Sequence, residues 1–212
     1  MKKVLFALLG IAALGTLVTP TEAAILSVMG DGVKIDAPVS VWDDATTHTQ
    51  FMLGFDERQN VLLEEDLKID DNLIYGDTIE QGRRVSSHMI FLNNPGNNVL
   101  NVDNVLWEFD GTILGVMSDT DGKLEAASND LLGNIPWTDY PGSFGNRGFE
   151  NTGEDTYSGV GTNILNVSMY VTEPGDWIRV VTASNIPEPV SILGLLAIAA
   201  LGSSSILKRP QH

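Results

Sequence analysis

The order of apolar and polar residues predicts a chain built from short β-strands. Val105, Trp107 and Phe109 are separated by single residues of mixed character, which gives this stretch one apolar face with a period of two. Residues 50–55 and 85–92 are apolar runs of strand length that are bounded by polar residues. These lengths and this period favour strands over helices.

Turn sequences predict how some of these strands pair. Asp110-Gly111 lies between the strand at 105–109 and a second run at 112–117, which favours a tight antiparallel hairpin. Residues 163–171 and 177–182 are joined through a Pro-Gly turn, and a second antiparallel pair is expected there. Clusters of Gly, Asn and Asp punctuate the rest of the chain.

Only two stretches favour helix, residues 61–67 and residues 123–132. Many short strands joined by polar turns predict an all-β fold. We expect a single antiparallel β-sandwich or jelly-roll-like domain over residues 24–185. It would be flanked by an N-terminal signal helix and a C-terminal transmembrane helix.

The N-terminal end has the composition of a secretion signal. Lys2 and Lys3 precede an apolar run, Val4 to Val18, and Pro20 follows it. Residues 21–23 place small side chains at the −3 and −1 positions of a cleavage site after Ala23. The sequence therefore predicts a signal peptide over residues 1–23 that signal peptidase removes.

The C-terminal end combines a rigid breaker with an apolar span. Pro187-Glu188-Pro189 restricts the backbone at and before each proline. Residues 190–207 contain no charged side chain and would span about 27 Å as a helix, enough to cross a bilayer core. Lys208 and Arg209 then close the span and are expected to stay on the cytoplasmic side.

This combination resembles the PEP-CTERM sorting signal of bacteria with an outer membrane, in its cyanobacterial form. The resemblance covers residues 186–212 and implies cleavage near Pro187-Glu188-Pro189 by an exosortase. It also implies a transient membrane anchor, followed by delivery to the cell surface or extracellular matrix alongside exopolysaccharide. A plain single-pass anchor is the alternative.

The middle of the chain loosely resembles a recurring group of exported PEP-CTERM proteins. The similar segments are Gly82 to His88, Phe109 to Val116, Leu131 to Gly133 and Pro174 to Thr182. The resemblance implies a shared fold and supplies no activity.

The net charge of the chain limits the classes of partner that it can bind. Four of the 12 basic and two of the 28 acidic residues lie in the terminal segments, so residues 24–186 hold 8 basic and 26 acidic residues, a net charge of −18. Such a body repels nucleic acid and anionic lipid. It suits solubility outside the cell, which is the simpler interpretation, or attraction for divalent cations and cationic surfaces. Because the chain has no cysteine, disulfides and thiolate metal sites are excluded.

A hydrolase site has little support in the sequence. Ser86, Ser87 and His88 are adjacent, but neighbouring residues of a strand point to opposite faces, so Ser87 and His88 would not meet. The nucleophile elbow Gly-x-Ser-x-Gly and the zinc motif His-Glu-x-x-His are both missing. We expect His88 to be structural, no catalytic residue, and no enzymatic activity.

Two groups of residues are candidates for binding. Asp119 and Asp121 resemble the core of a calcium loop, but the carboxylates required at the ends of an EF-hand are missing, so an EF-hand is excluded. Asp121-Gly122 fits a turn between strands better, and calcium binding of another kind through Asp-rich loops stays open. Trp137, Asp139 and Tyr140 lie in a loop and suit contact with a glycan, although loop aromatics also cover cores.

Together these features predict an exported, non-enzymatic surface or matrix protein with a structural or adhesive role linked to exopolysaccharide. No cofactor is required, and calcium stays open as a ligand. A calcium- or glycan-binding lectin-like module is the first alternative, and an extracellular hydrolase is the second.

Overall fold

The structure is a computed structural model that describes residues 24–48, 50–94, 96–150 and 153–184. The predicted signal peptide and the whole sorting signal, residues 186–212, lie outside the described residues. The described elements are β1 (Ile25–Met29), β2 (Gly32–Lys34), β3 (Met52–Asp56), β4 (Val61–Leu62), β5 (Leu67–Asn72), β6 (Gly76–Ile79), β7 (Arg84–Leu92), β8 (Leu100–Phe109), β9 (Ile113–Met117), α1 (Lys123–Ala127), α2 (Asn129–Leu132), β10 (Thr156–Ser158), β11 (Ile164–Val171) and β12 (Asp176–Ala183). Strands dominate, so the predicted all-β class is confirmed. In the part of the chain described, no helix has the length and apolar character needed to cross a membrane.

Two sheets form the body of the protein. One has four antiparallel strands in the order β1-β8-β11-β10. The other has the order β2-β3-β7-β12-β9, and β4 also pairs with β7. The pair β2–β3 is parallel, whereas only antiparallel pairs were predicted. Strands β5 and β6 form a separate two-stranded sheet.

The largest core lies between these two sheets. Ile90 of β7 and Ile178 of β12 point to one face of their sheet, and both are fully buried. They pack in one cluster with Val105, Trp107 and Phe109 of β8, the alternating residues that predicted an apolar face. The two sheets therefore pack face to face.

The larger sheet is covered on its second face as well. Val85 of β7 and Val181 of β12 belong to a second core, together with Ile69 of β5, Ile79 of β6 and Leu132 of α2. Residues 85–92 are consequently all buried. A strand covered on both faces needs apolar side chains on both, which explains the continuous apolar run in this part of the sequence.

Both predicted hairpins are wrong. β8 and β9 flank Asp110-Gly111 but belong to different sheets, since β8 pairs with β1 and β11 while β9 pairs with β12. β11 and β12 are likewise split between the sheets. A Cβ atom at Gly111 would lie 2.1 Å from the carbonyl oxygen of Ala183, so glycine permits the tight passage from one sheet to the other.

The two helix predictions have opposite outcomes. Residues 123–132 do form α1 and α2. Residues 61–67 instead contain the short strand β4 and the start of β5, and the helix prediction there is wrong. Val61 is buried and Leu62 exposed, the period of two that a strand requires. Asp121-Gly122 leads into α1, so the predicted turn between two strands is also wrong.

Candidate functional site

The predicted glycan-binding loop is held against a second loop by its backbone. The amide of Asp139 donates to the carbonyl of Val39 (2.8 Å), and the amide of Val41 donates to the carbonyl of Asp139 (3.1 Å). The Thr138 hydroxyl donates to the carbonyl of Pro38 at 2.7 Å. Residues 38–42 and 137–140 therefore form one ordered unit.

Exposed apolar side chains project from this unit. Trp137 is 74% exposed and Trp42 47% exposed, and Val39 is also exposed, as is Ile135, which lies two residues before Trp137. The Trp42 indole donates from Nε1 to Oδ2 of Asp139 at 2.9 Å, which orients the ring beside a carboxylate. We call Val39, Trp42, Ile135, Trp137 and Asp139 the aromatic surface. The sequence singled out Trp137 and Asp139 in one loop but did not place Trp42 beside them, because Trp42 lies 97 residues before its hydrogen-bond partner.

Tyr140, the third predicted glycan residue, belongs to the base of this surface. Its ring is half-buried, the guanidinium of Arg179 lies 5.6 Å from its centroid, and its hydroxyl accepts a hydrogen bond from the Asn134 amide at 2.9 Å. Burial, followed by the nearby Glu57 carboxylate, raises the pKa of Tyr140. The hydroxyl therefore stays protonated, and Tyr140 helps to support the surface from below.

The base is completed by a buried aromatic cluster. Val41 is fully buried and packs in one cluster with Trp177 of β12 and Phe91 of β7. The Trp177 indole donates from Nε1 to the carbonyl of Val41 at 2.8 Å. Because this strand core fixes the loop, the exposed rings are presented on a rigid support.

The two predicted calcium ligands have partners within the protein. The Asp119 carboxylate accepts hydrogen bonds from the amides of Lys123 (2.8 Å) and Leu124 (2.9 Å) at the start of α1. It therefore satisfies helix amides that would otherwise lack acceptors. Asp121 pairs with the exposed ammonium of Lys123.

A different carboxylate cluster was missed by sequence reasoning. Glu150, Asp155 and Asp176 each place one carboxylate oxygen within 4.8 Å of the other two. Asp176 begins β12, while Glu150 and Asp155 precede β10. No spacing motif joins residues so far apart, and only the abundance of acidic residues in the sequence pointed toward such a group.

A second buried charged group is neutralised by its own cations. Arg179 donates from Nε and Nη2 to the two carboxylate oxygens of Glu57, at 2.8 Å each. Arg147 pairs with Glu125 of α1, whose carboxylate also lies 3.8 Å from Arg179. All four side chains are buried, and their two positive and two negative charges balance. This group ties α1 to β12.

Of the residues of the hydrolase alternative, only His88 belongs to a hydrogen-bonded row, and its partners in that row are Asp56 and Thr182. His88 Nδ1 lies 2.8 Å from Oδ1 of Asp56, and its Nε2 lies 3.2 Å from the hydroxyl of Thr182. His88 and Thr182 are both 0% exposed, so a substrate cannot reach this row. Ser87 points to the other face and donates to Glu57 at 2.9 Å, as the strand period predicted.

Comparison with known proteins assigns no family. A scan against protein-family models gave no match, and searches of curated proteins and of solved structures gave no significant match. Function therefore has to be inferred from the residues themselves.

Proposed function

We propose that the protein is an exported surface or matrix protein with a non-enzymatic, adhesive role, and that it contacts exopolysaccharide through the aromatic surface. The observation that carries this proposal is the exposure of Trp137 and Trp42 on a rigid support. Large rings that a fold leaves in water, on backbone it holds in place, are characteristic of binding surfaces.

The chemistry of the aromatic surface suits a sugar polymer. Indole rings offer flat apolar faces against which the C–H faces of sugar rings can stack, and Asp139 offers carboxylate oxygens to sugar hydroxyls. The strongly acidic body favours neutral or cationic polymers and disfavours anionic ones. Hydrogen bonding of Asp139 to Trp42 places the polar and stacking groups side by side.

Polysaccharide binding by the full-length chain, purified in mild detergent, tests this role. Dextran, alginate and chitosan serve as neutral, anionic and cationic probes, with affinity measured by calorimetry. We expect Trp137→Ala and Trp42→Ala each to weaken binding about tenfold or more, the scale of one lost aromatic stacking contact.

The matched control is Leu73→Ala, because Leu73 is an exposed apolar residue outside the aromatic surface. This variant should bind as the wild type does. Binding that survives both tryptophan substitutions, or that follows polymer charge alone, would contradict the proposal.

The route to the surface is proposed from the terminal sequences. We infer that signal peptidase cleaves after Ala23 and that an exosortase cleaves near Pro187-Glu188-Pro189, with Lys208 and Arg209 left behind. Mass spectrometry of the native protein should find a C-terminus near residues 187–189. A chain that retains Lys208 and Arg209 would instead be a plain membrane anchor.

A further inference from the structure

The three clustered carboxylates are unusual because two of them are almost completely buried. Asp176 is 2% exposed and Asp155 is 8% exposed, while Glu150 is partly exposed at the rim. Asp176 lies on the same face of β12 as Ile178 and therefore points between the two sheets. Burying several negative charges together is strongly unfavourable unless something compensates them.

The described protein atoms leave these carboxylates incompletely satisfied. Oδ2 of Asp176 and Oδ2 of Asp155 are both buried without a hydrogen-bond partner. The other oxygen of Asp155 accepts a hydrogen bond from the amide of Tyr170 at 2.7 Å, which fixes the orientation of the carboxylate. When both groups are ionised, each of these two carboxylates thus keeps one buried oxygen to which the described residues donate no hydrogen bond.

The surroundings of the cluster are also acidic. Glu150 lies between two cavities of about 200 Å³ and about 610 Å³. Asp176, Glu154 and Glu173 line the smaller cavity, and Asp155, Asp70 and Asp119 line the larger one. Among the described residues that line these cavities, none is Lys, Arg or His. The described lining therefore supplies no positive charge to these two cavities.

We propose that Glu150, Asp155 and Asp176 bind a divalent cation, with calcium the favoured ion. Two oxygens bound to one calcium ion at about 2.3–2.6 Å can be at most about 5 Å apart, and the three carboxylate oxygens meet this limit with separations within 4.8 Å. Carboxylate oxygens are the ligands that calcium prefers, and water from the adjoining cavities can complete its coordination shell.

A proton is the alternative occupant of the cluster. Burial, followed by the neighbouring charges of Asp155 and Glu150, raises the pKa of Asp176 to about 10. Without an ion, one proton would therefore relieve part of the repulsion at neutral pH. The cation site and the protonated cluster differ in one measurable property, the response of stability to calcium.

Thermal unfolding of the full-length chain in mild detergent at pH 7.5 tests the proposal. The chain is first stripped with EDTA and then titrated with calcium chloride or magnesium chloride. At calcium about 100-fold above its dissociation constant, Tm should rise by about 5–10 °C. Magnesium should give a smaller rise, because it requires a stricter octahedral shell.

The double variant Asp155→Asn, Asp176→Asn removes the charges and keeps the side-chain shapes. In EDTA its Tm should equal or exceed that of the wild type, which shows that it folds, and calcium should no longer shift it. The matched control is Asp121→Asn, which alters the sequence-predicted loop and should keep the full shift. As a milder second variant, Glu150→Gln should weaken calcium binding at least tenfold in calorimetry.

Three outcomes would overturn the proposal. A wild-type chain with no calcium shift, paired with a double variant of higher Tm, would identify a protonated cluster. A shift retained by the double variant would place the ion elsewhere. Loss of the shift in Asp121→Asn alone would return the site to the Asp119–Asp121 loop.

Discussion

The protein buries two groups of charged side chains, and these groups differ in whether neighbouring residues of opposite charge neutralise them. In the first, Glu57 and Glu125 are matched by Arg179 and Arg147, and the charges sum to zero. In the second, Glu150, Asp155 and Asp176 lie close together, and none of the described residues lining the adjoining cavities is basic.

The difference separates a structural network from a candidate binding site. Buried charges that the chain neutralises itself need no ligand, and they connect elements such as α1 and β12. Buried charges that the chain leaves unmatched require a proton or an ion from solution. The positions of the arginines, and not the number of acidic residues, therefore distinguish the two groups.

The largest loss of stability is expected when Arg179 is removed from the first group, because the buried charges there no longer balance. Arg179→Met should lower the free energy of unfolding by about 3–5 kcal/mol, because it leaves Glu57 buried without its bidentate partner and weakens the compensation of Glu125. Urea unfolding followed by tryptophan fluorescence measures the change. Arg58→Met, at an exposed arginine, is the control and should change stability by no more than about 0.5 kcal/mol. A loss below about 1 kcal/mol for Arg179→Met would show that the two groups do not differ in this way.

Asp56 lies between these two cases: its carboxylate is partly buried, and Lys34 and His88 both contact it. Burial alone would raise the pKa of Asp56, but hydrogen bonds from His88 and Lys34 outweigh it and hold the pKa below the usual 3.8, with Asp110 also nearby. The stability that Asp56 contributes is therefore present above pH 3.8 and is lost as the pH falls through the lower folded-state pKa.

Asp56→Asn tests this contribution. At pH 7 the variant should lose about 1–3 kcal/mol, the scale of hydrogen bonds to a charged group. Its stability should also fall less steeply than that of the wild type as the pH drops below about 4. Unfolding measured from pH 2 to pH 7 provides both readouts, and the exposed Asp103→Asn is the control. An unchanged acid slope would contradict this account.

Glu150→Gln should have a smaller effect whose sign depends on calcium. In EDTA the change removes one negative charge from an uncompensated group, so the free energy of unfolding should rise by about 1 kcal/mol or less. In saturating calcium the same variant should be less stable than the wild type, because a ligand is lost. A substitution that destabilises equally in both conditions would mean that Glu150 acts only through packing.

The smallest effect on stability is expected at the exposed ion pair of Lys68 and Asp77. Its atoms lie 2.9 Å apart, yet both side chains are largely in solvent. Asp77→Asn should leave the melting temperature unchanged within experimental error, because exposed ion pairs contribute little. A clear loss there would show that surface charge, and not burial, governs stability in this acidic chain.

Local sequence predicted the strands well and their partners poorly. The alternation of Val105, Trp107 and Phe109 correctly identified an inward face, since all three are fully buried. Asp110-Gly111 correctly marked a sharp change of chain direction, but it did not indicate that the next strand joins the other sheet. A turn sequence constrains only its own backbone, whereas the choice between pairing in one sheet and crossing to another depends on packing far along the chain.

The candidate binding residues likewise divide into those that local sequence identifies and those that only contacts between distant residues identify. Trp137 and Asp139 were identifiable because loop aromatics and acids are informative where they stand. The position of Trp42 beside them was not, since its contact with Asp139 spans 97 positions. Glu150 and Asp155 were also missed, because residues of this type are common in an acidic chain and only proximity to Asp176 distinguishes them.

The sequence by itself determined the all-β class, the inward faces of its main strands and the excess of negative charge. These follow from side-chain period and composition, which are local properties. The tertiary structure decided which strands share a sheet, which tryptophans stay exposed, and which carboxylates are buried beside arginines or beside one another. Burial and compensation of charge depend on neighbours that only folding brings together, and the order of residues along the chain does not specify those neighbours.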